Sequence, residues 1–239
     1  MTLYDLTRQV EDGMPTYPGD PEVRVTPHAT ADADGYRVTA LELGTHAGTH
    51  VDAPSHVLED GATLGEFDLD TFRFGARVVD VPNLGPRGVI TPEAVPDAGV
   101  DLVLFHTGWD EHWGTDRYRE HPYLSREAAE RCARRGLAVG LDCFSPDPTP
   151  DPNAEVGGGG QEEDDHDRRN WAHGRRDDYS DYGAPAHRAL LGAELLVFEN
   201  LVGLGRLPER CTVSAFPLRV DADGAPARVV AETGTRGAE

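Results

Sequence analysis

Between His46 and His56 the chain reads His-Ala-Gly-Thr-His-Val-Asp-Ala-Pro-Ser-His, three histidines and an aspartate in eleven residues with spacings of four, two and four. Imidazole nitrogens and carboxylate oxygens are ligands for zinc, manganese and iron, and a carboxylate has two oxygens with which to bridge two ions. An extended strand sends alternate side chains to one face, which predicts His46, Gly48, His50 and Asp52 together on it. Gly48 would then leave room for an ion, and Pro54 would end the strand so that His56 looks back over the site. The competing reading of any one histidine is a satisfied structural residue. Three polar groups on one face, with His56 turned toward them, make that reading expensive, since each buried group without a partner costs about 1–3 kcal/mol.

This stretch resembles the signature of the metal-dependent cyclase family, which includes bacterial kynurenine formamidases and isatin hydrolases. Other segments are also similar to that family: Asp142 with Ser145, the run His-Arg-Ala-Leu-Leu-Gly from His187, Phe-Glu-Asn-Leu from Phe198, Phe216-Pro217-Leu218 and Ala225-Pro226-Ala227-Arg228. The resemblance implies that His46, His50 and Asp52 hold one divalent metal and Asp52, His187 and Glu199 a second, zinc or manganese, with Asp52 bridging. For Glu199 there is physical support, because a carboxylate ending a Leu-Leu-Val-Phe strand is costly to bury unpaired. His56 resembles the family's catalytic histidine. The implied reaction is hydrolysis of a small aryl amide, N-formyl-L-kynurenine giving L-kynurenine and formate, with opening of a cyclic amide such as isatin as the alternative. A silent metal-binding protein is the alternative of a different class, and the complete ligand set argues against it. The resemblance further implies a swivelling β/β/α fold, a homodimer or larger assembly, and a place beside the substrate for the Tyr17-Pro18-Gly19-Asp20 loop. Tyr17 is thus a candidate substrate contact, with Phe67, Phe72 and Trp109 as further pocket candidates. His106 stands where the family commonly has arginine.

The elements that must carry these residues read as a mixed α/β domain. Strands are predicted at Leu3–Leu6, Val23–Thr26, Tyr36–Leu43, Ala76–Val81, Asp101–His106, Leu137–Asp142 and Leu195–Phe198. Two more, Arg210–Val220 and Arg228–Ala231, are joined by a hairpin at Asp221–Gly224. Ser125 to Arg135 is the clearest helix, with a serine cap, early acids, late arginines and Gly136 as terminator. Pro185–Gly192 reads as a short helix carrying His187. One domain accounts for residues 1–239, interrupted at about 146–183 by an acidic, glycine-rich insertion with almost no aliphatic residues, which reads as solvated rather than as a lid.

A net charge of −21, with 22 basic residues and no lysine, repels phosphate backbones and anionic membranes, so nucleic acid and lipid surfaces are excluded as partners. The acid excess also raises the expectation of a halophilic source, where salt screens the self-repulsion. No apolar run reaches membrane-span length and no basic-then-apolar leader opens the sequence, which predicts a cytoplasmic protein. Cys132, Cys143 and Cys211 are too widely spaced for a metal ribbon and read as packing residues. A Gly-x-Ser-x-Gly elbow and a dinucleotide-binding loop are both missing, so covalent serine chemistry and nucleotide binding have no support.

Overall fold

A computed structural model describes residues 1–81, 83–97, 99–150 and 183–234. The strands are β1 (Thr2–Asp5), β2 (Arg24–Ala29), β3 (Val38–Glu42), β4 (His50–Asp52), β5 (Arg73–Asp80), β6 (Val89–Ile90), β7 (Leu102–His106), β8 (Tyr123–Leu124), β9 (Ala138–Leu141), β10 (Val197–Glu199), β11 (Arg210–Pro217) and β12 (Gly224–Thr233). Among the described residues the helices are α1 (Ala31–Asp34), α2 (Arg126–Arg134) and α3 (Pro185–Leu191). The mixed α/β reading holds, and the main sheet closes on itself. Its order is β12-β11-β5-β7-β9-β10-β4, and β4 pairs back onto β12. Closure is possible because β12 is long: Gly224 to Pro226 take β4 on the same edge where Val230 to Thr233 take β1. Strands β5, β7, β9 and β10 run parallel, and the remaining neighbours antiparallel.

Alternation along each strand divides the apolar residues between two cores. Leu102, Leu104, Phe74, Ala76, Phe198, Val51, Val213 and Ala227 fill the inside of the barrel. Val103, Phe105, Val139, Leu141 and Val197 point outward, where α2 and α3 cover them. Both faces of β7 are therefore buried, which is why its sequence is an unbroken apolar run. Helix α2 starts where the Ser125 hydroxyl accepts the Ala128 N–H at 3.1 Å, and it buries Ala128, Ala129 and Cys132. Helix α3 has Pro185 at its first position and buries Ala186, His187, Leu190 and Leu191. Cys132 and Cys143 are buried and Cys211 is half-buried, none of them in a disulfide, in keeping with packing roles.

Residues 151–182 of the predicted insertion lie outside the described residues. Its first residues do not behave as a solvated insert: Pro146, Asp147 and Thr149 are buried, and the Pro146 carbonyl accepts the Leu124 N–H at 2.9 Å. No described helix is long and apolar enough to cross a membrane.

Candidate metal centre

The ligand-type residues meet on the outer face of the barrel wall, under α3. In β4, Val51 points into the barrel, so His50 and Asp52 must point out. The antiparallel register sets Glu199 of β10 directly opposite His50 and Val197 opposite Asp52, bringing the Glu199 carboxylate beside the His50 ring on the same face. His187 descends from α3, which is anchored on that face by its buried leucines. His50 Nε2 lies 3.2 Å from both Asp52 Oδ1 and Glu199 Oε2, and His187 Nε2 lies 3.5 Å from Asp52 Oδ2 and 3.2 Å from Glu199 Oε1.

The single-strand reading of residues 46 to 52 needs correction. Only His50–Asp52 is extended; His46 sits in a turn, and Gly48 has φ +63°. Gly48 does not make room for an ion, because a Cβ there would meet Met14 Cε at 2.9 Å. Its left-handed turn instead directs the Gly48 carbonyl at His50 Nδ1 (2.8 Å) and Asn200 Nδ2 (3.0 Å). Gly48→Ala is expected to cost about 1–2 kcal/mol for the left-handed backbone, read as a lower urea midpoint at unchanged slope. His46 still reaches the site from its turn, with Nδ1 2.7 Å from Asp52 Oδ1. The 3₁₀ turn Pro54–His56 brings the exposed His56 ring to 4.1 Å from the His46 ring and 5.4 Å from the His187 ring, as the Pro54 argument expected.

Each of the three inner histidines has one ring nitrogen held from outside the cluster and the other aimed into it. His50 Nδ1 is held by the Gly48 carbonyl, His187 Nδ1 by Asp147 Oδ2 at 2.8 Å, and His46 Nε2 by Asp223 Oδ2 at 2.9 Å. Such contacts fix tautomer and ring orientation and leave a lone pair for a ligand. Among the described residues, His50 Nε2, Asp52 Oδ2, His187 Nε2 and Glu199 Oε1 are buried atoms with no hydrogen-bond partner. His187 Nε2 meets Glu199 Oε1 at 3.2 Å and Asp52 Oδ2 at 3.5 Å, and His50 Nε2 lies 3.2 Å from the other Glu199 oxygen, a convergence of unpaired atoms that a divalent cation satisfies. Among the described residues, the groups able to hold one are His46, His50 and Asp52, then Asp52, His187 and Glu199, then His46, His56 and Asp223. Asp52 belongs to the first two.

Charge organises the cluster. Burial alone would depress His46, but hydrogen bonds to Asp223 and Asp52 outweigh it and hold it at about 9. Burial likewise opposes the charged forms of His50 and His187. The Asp52 charge raises His50 well above the usual histidine range, and the Asp147, Asp52 and Glu199 carboxylates do the same for His187. Burial works to raise Asp52, yet the surrounding histidines hold it well below the usual carboxylate range. An incoming cation must displace these protons, so affinity rises with pH.

The Cyclase family model matches residues 4–148, more than half of the chain. The chain belongs to the cyclase family. It is 32% identical over 241 residues to the kynurenine formamidase of Salinibacter ruber, covering 96% of this chain and 97% of that protein. It is 26% identical to the kynurenine formamidase of Geobacillus thermodenitrificans, covering 94% of each. Isatin hydrolase A from Ralstonia solanacearum shares the fold at a TM-score of 0.75 and 21% identity, covering 96% of this chain and 91% of that one.

The remaining predicted site residues of this cyclase-family chain divide into two sets. Tyr17 is half-buried with its ring edge-on to Phe144 (6.1 Å), and the Asp20 N–H closes this loop into a turn on the Tyr17 carbonyl at 3.0 Å. Burial, reinforced by the Glu199 charge, pushes its phenol up to about 12, so it stays a neutral donor near the cluster. The expected pocket roles of Phe72 and Trp109 meet a physical obstacle: both side chains are spent in the cores. Phe72 is buried inside the barrel, and Trp109 is 3% exposed with its Nε1–H donated to the Tyr118 carbonyl. Phe67 packs half-buried against the edge of the barrel core. His106 Nδ1 lies 2.6 Å from Asp80 Oδ1 at the end of β7.

Asp147, Asp223 and Asn200 were not found from sequence. Asp147 accepts the N–H groups of Ala186 and His187 as well as the His187 ring, and its own N–H is held by the Ser145 hydroxyl at 3.1 Å. The Ser145 likeness was the only signal near it. Asp142 instead braces the loop after β7, accepting from the Thr107 hydroxyl and the N–H groups of Thr107 and Gly108. Asp147→Ala is expected to weaken metal affinity by about 10–100-fold while sparing the fold, measured by competition with a chromogenic chelator.

Proposed function

We propose that the chain is a metal-dependent amide hydrolase that converts N-formyl-L-kynurenine to L-kynurenine and formate. What carries the reading is the set of four partnerless buried atoms, His50 Nε2, Asp52 Oδ2, His187 Nε2 and Glu199 Oε1, next to an exposed histidine that can move a proton. The donor set suits two divalent ions, zinc or manganese: His46, His50 and Asp52 around one, Asp52, His187 and Glu199 around the other. A bound divalent ion supplies Lewis acidity, lowering the pKa of water and polarising a carbonyl.

The chain's own residues do the rest. His50, His187 and His46 enter with their rings already oriented, so little reorganisation is needed when an ion binds. His56, on the open side of the cluster, takes the proton released as water adds to the formyl carbon. It returns that proton to the aryl nitrogen as the C–N bond breaks, leaving an amine and formate. Tyr17, backed by Phe144, offers an aromatic edge and a neutral hydroxyl to the aryl group, with Phe67 as a further candidate contact. The 32% identity to a kynurenine formamidase over nearly the whole chain supports the formyl substrate over a cyclic one.

The test is metal content and turnover together, with N-formylkynurenine and isatin assayed side by side in added zinc or manganese. Formate release with two metals per chain is expected. Isatin opening without formate release would transfer the reading to a cyclic amide; a chain that takes up no metal would overturn it.

A further inference from the structure

Asp223 belongs to neither of the two ligand groups assigned above, yet its side chain is more fully engaged than a hairpin acid requires. It lies between β11 and β12, where sequence offers only turn chemistry, and nothing there distinguishes it from Asp221. In the fold its Oδ2 lies 2.9 Å from His46 Nε2 and 3.5 Å from His56 Nδ1, while Oδ1 accepts the Thr45 hydroxyl at 3.2 Å. The backbone is fixed to the same place, the Ala53 N–H donating to the Asp223 carbonyl at 2.8 Å. Gly224 allows the close approach: a Cβ there would lie 2.8 Å from His46 Cε1 and from the Val51 carbonyl. A single carboxylate thus touches one candidate metal ligand and the candidate proton carrier from a point about 170 residues away in sequence.

We propose that Asp223 is a positioning residue for His56. It accepts the Nδ1–H of His56, which selects the tautomer whose Nε2 carries the lone pair and turns that nitrogen toward the reacting atoms. The same oxygen holds His46 by Nε2 and leaves Nδ1 for the cluster, so the ligand and the proton carrier are set against one fixed anion. The 3.5 Å separation from His56 is the long arm of the pair, as is common for catalytic contacts before substrate binds. The inference rests on the proton-carrier role given to His56 above, and its test is chosen to stand without that role.

The experiment compares wild type, Asp223→Asn, His56→Ala and the double variant, each loaded with zinc and counted for metal. Histidine ¹⁵N spectra of the loaded proteins report the His56 tautomer, with His56→Ala giving the assignment, and urea midpoints report folding. Asparagine keeps the Thr45 contact and the hairpin, so the fold is expected to survive. Expected are an unchanged metal count, loss of the Nδ1–H tautomer of His56, kcat on N-formylkynurenine lower by about 10–100-fold, and KM within about twofold. In the His56→Ala background the same change is expected to cost nothing more, because it acts through His56. An unchanged His56 tautomer, an equal loss in both backgrounds, or failure of Asp223→Asn to reach the wild-type metal count at saturating zinc would each overturn the proposal. If wild type binds zinc but does not turn over formylkynurenine, the activity reading falls and the tautomer alone decides.

Discussion

Asp52→Ala is expected to empty both candidate metal positions and to lower kcat/KM by about 10³-fold or more. Asp52 is fully buried and approaches His46, His50 and His187 within 2.7–3.5 Å, so removing it takes an anion from both groups at once. Lewis-acid stabilisation of several kcal/mol, at about 1.4 kcal/mol per tenfold, sets the scale of the loss. Stability gives an independent readout. Zinc at 100 times its Kd stabilises by about 2.7 kcal/mol, which for a chain of this size raises Tm by roughly 5–11 °C. The variant should show no such rise. A variant that keeps two metals, or loses only one with activity intact, would remove Asp52 from its shared role.

The same residue sets how pH acts on the metal-free protein. His46 is held at about 9 against an ordinary 6.5, by hydrogen bonds to Asp223 and Asp52 that outweigh burial. A raised folded-state value contributes stability that is complete below pH 6.5 and lost as pH rises toward 9. In chelator, wild type should therefore lose Tm across this window, most of it above pH 7. With zinc present the loss should disappear, because the protons have been displaced. Asp52→Ala should flatten the chelator curve, since one of the two partners that raise His46 is gone.

Much of this candidate centre was legible in the sequence because its donors are concentrated. His46, His50, Asp52 and His56 come from one segment, and residue type with spacing was enough to select them. His187 and Glu199 were not selectable by composition; likeness to the family named them, and the β4–β10 register with α3 above it explains why they meet the rest. The helix Ser125–Arg135 and the β7 strand were legible because capping and apolar runs are local signals. Barrel closure was not, since it depends on β12 pairing at one edge with both β1 and β4, strands nearly fifty residues apart. The strand reading of residues 46 to 49 failed for a related reason: Gly48 turns with a positive φ where its carbonyl meets Asn200 and Met14 leaves no room for a Cβ, and only the fold brings those residues near. Asp147 and Asp223 were hidden as turn acids, and Phe72 and Trp109 were over-read, because an aromatic side chain needed by a core looks the same in sequence as one needed by a pocket.

His56→Ala separates chemistry from metal binding, and here the expected effect falls on one and not the other. His56 is exposed and contacts the cluster through ring packing on His46 and His187 and the long arm to Asp223, not through the four partnerless atoms. Its removal should leave two metals per chain and change stability by no more than about 0.5 kcal/mol, as for an exposed side chain outside the core. Turnover should fall by about 10²–10⁴-fold, the range for losing a positioned proton carrier. Added imidazole should restore part of it, because the space His56 leaves opens to solvent. The loss should lie mainly in kcat: binding of the aryl group is assigned to Tyr17, which the substitution does not touch. If the variant instead loses one metal in proportion to its activity, then His56, His46 and Asp223 form a true third ligand group, and the proton must move through another residue of the cluster.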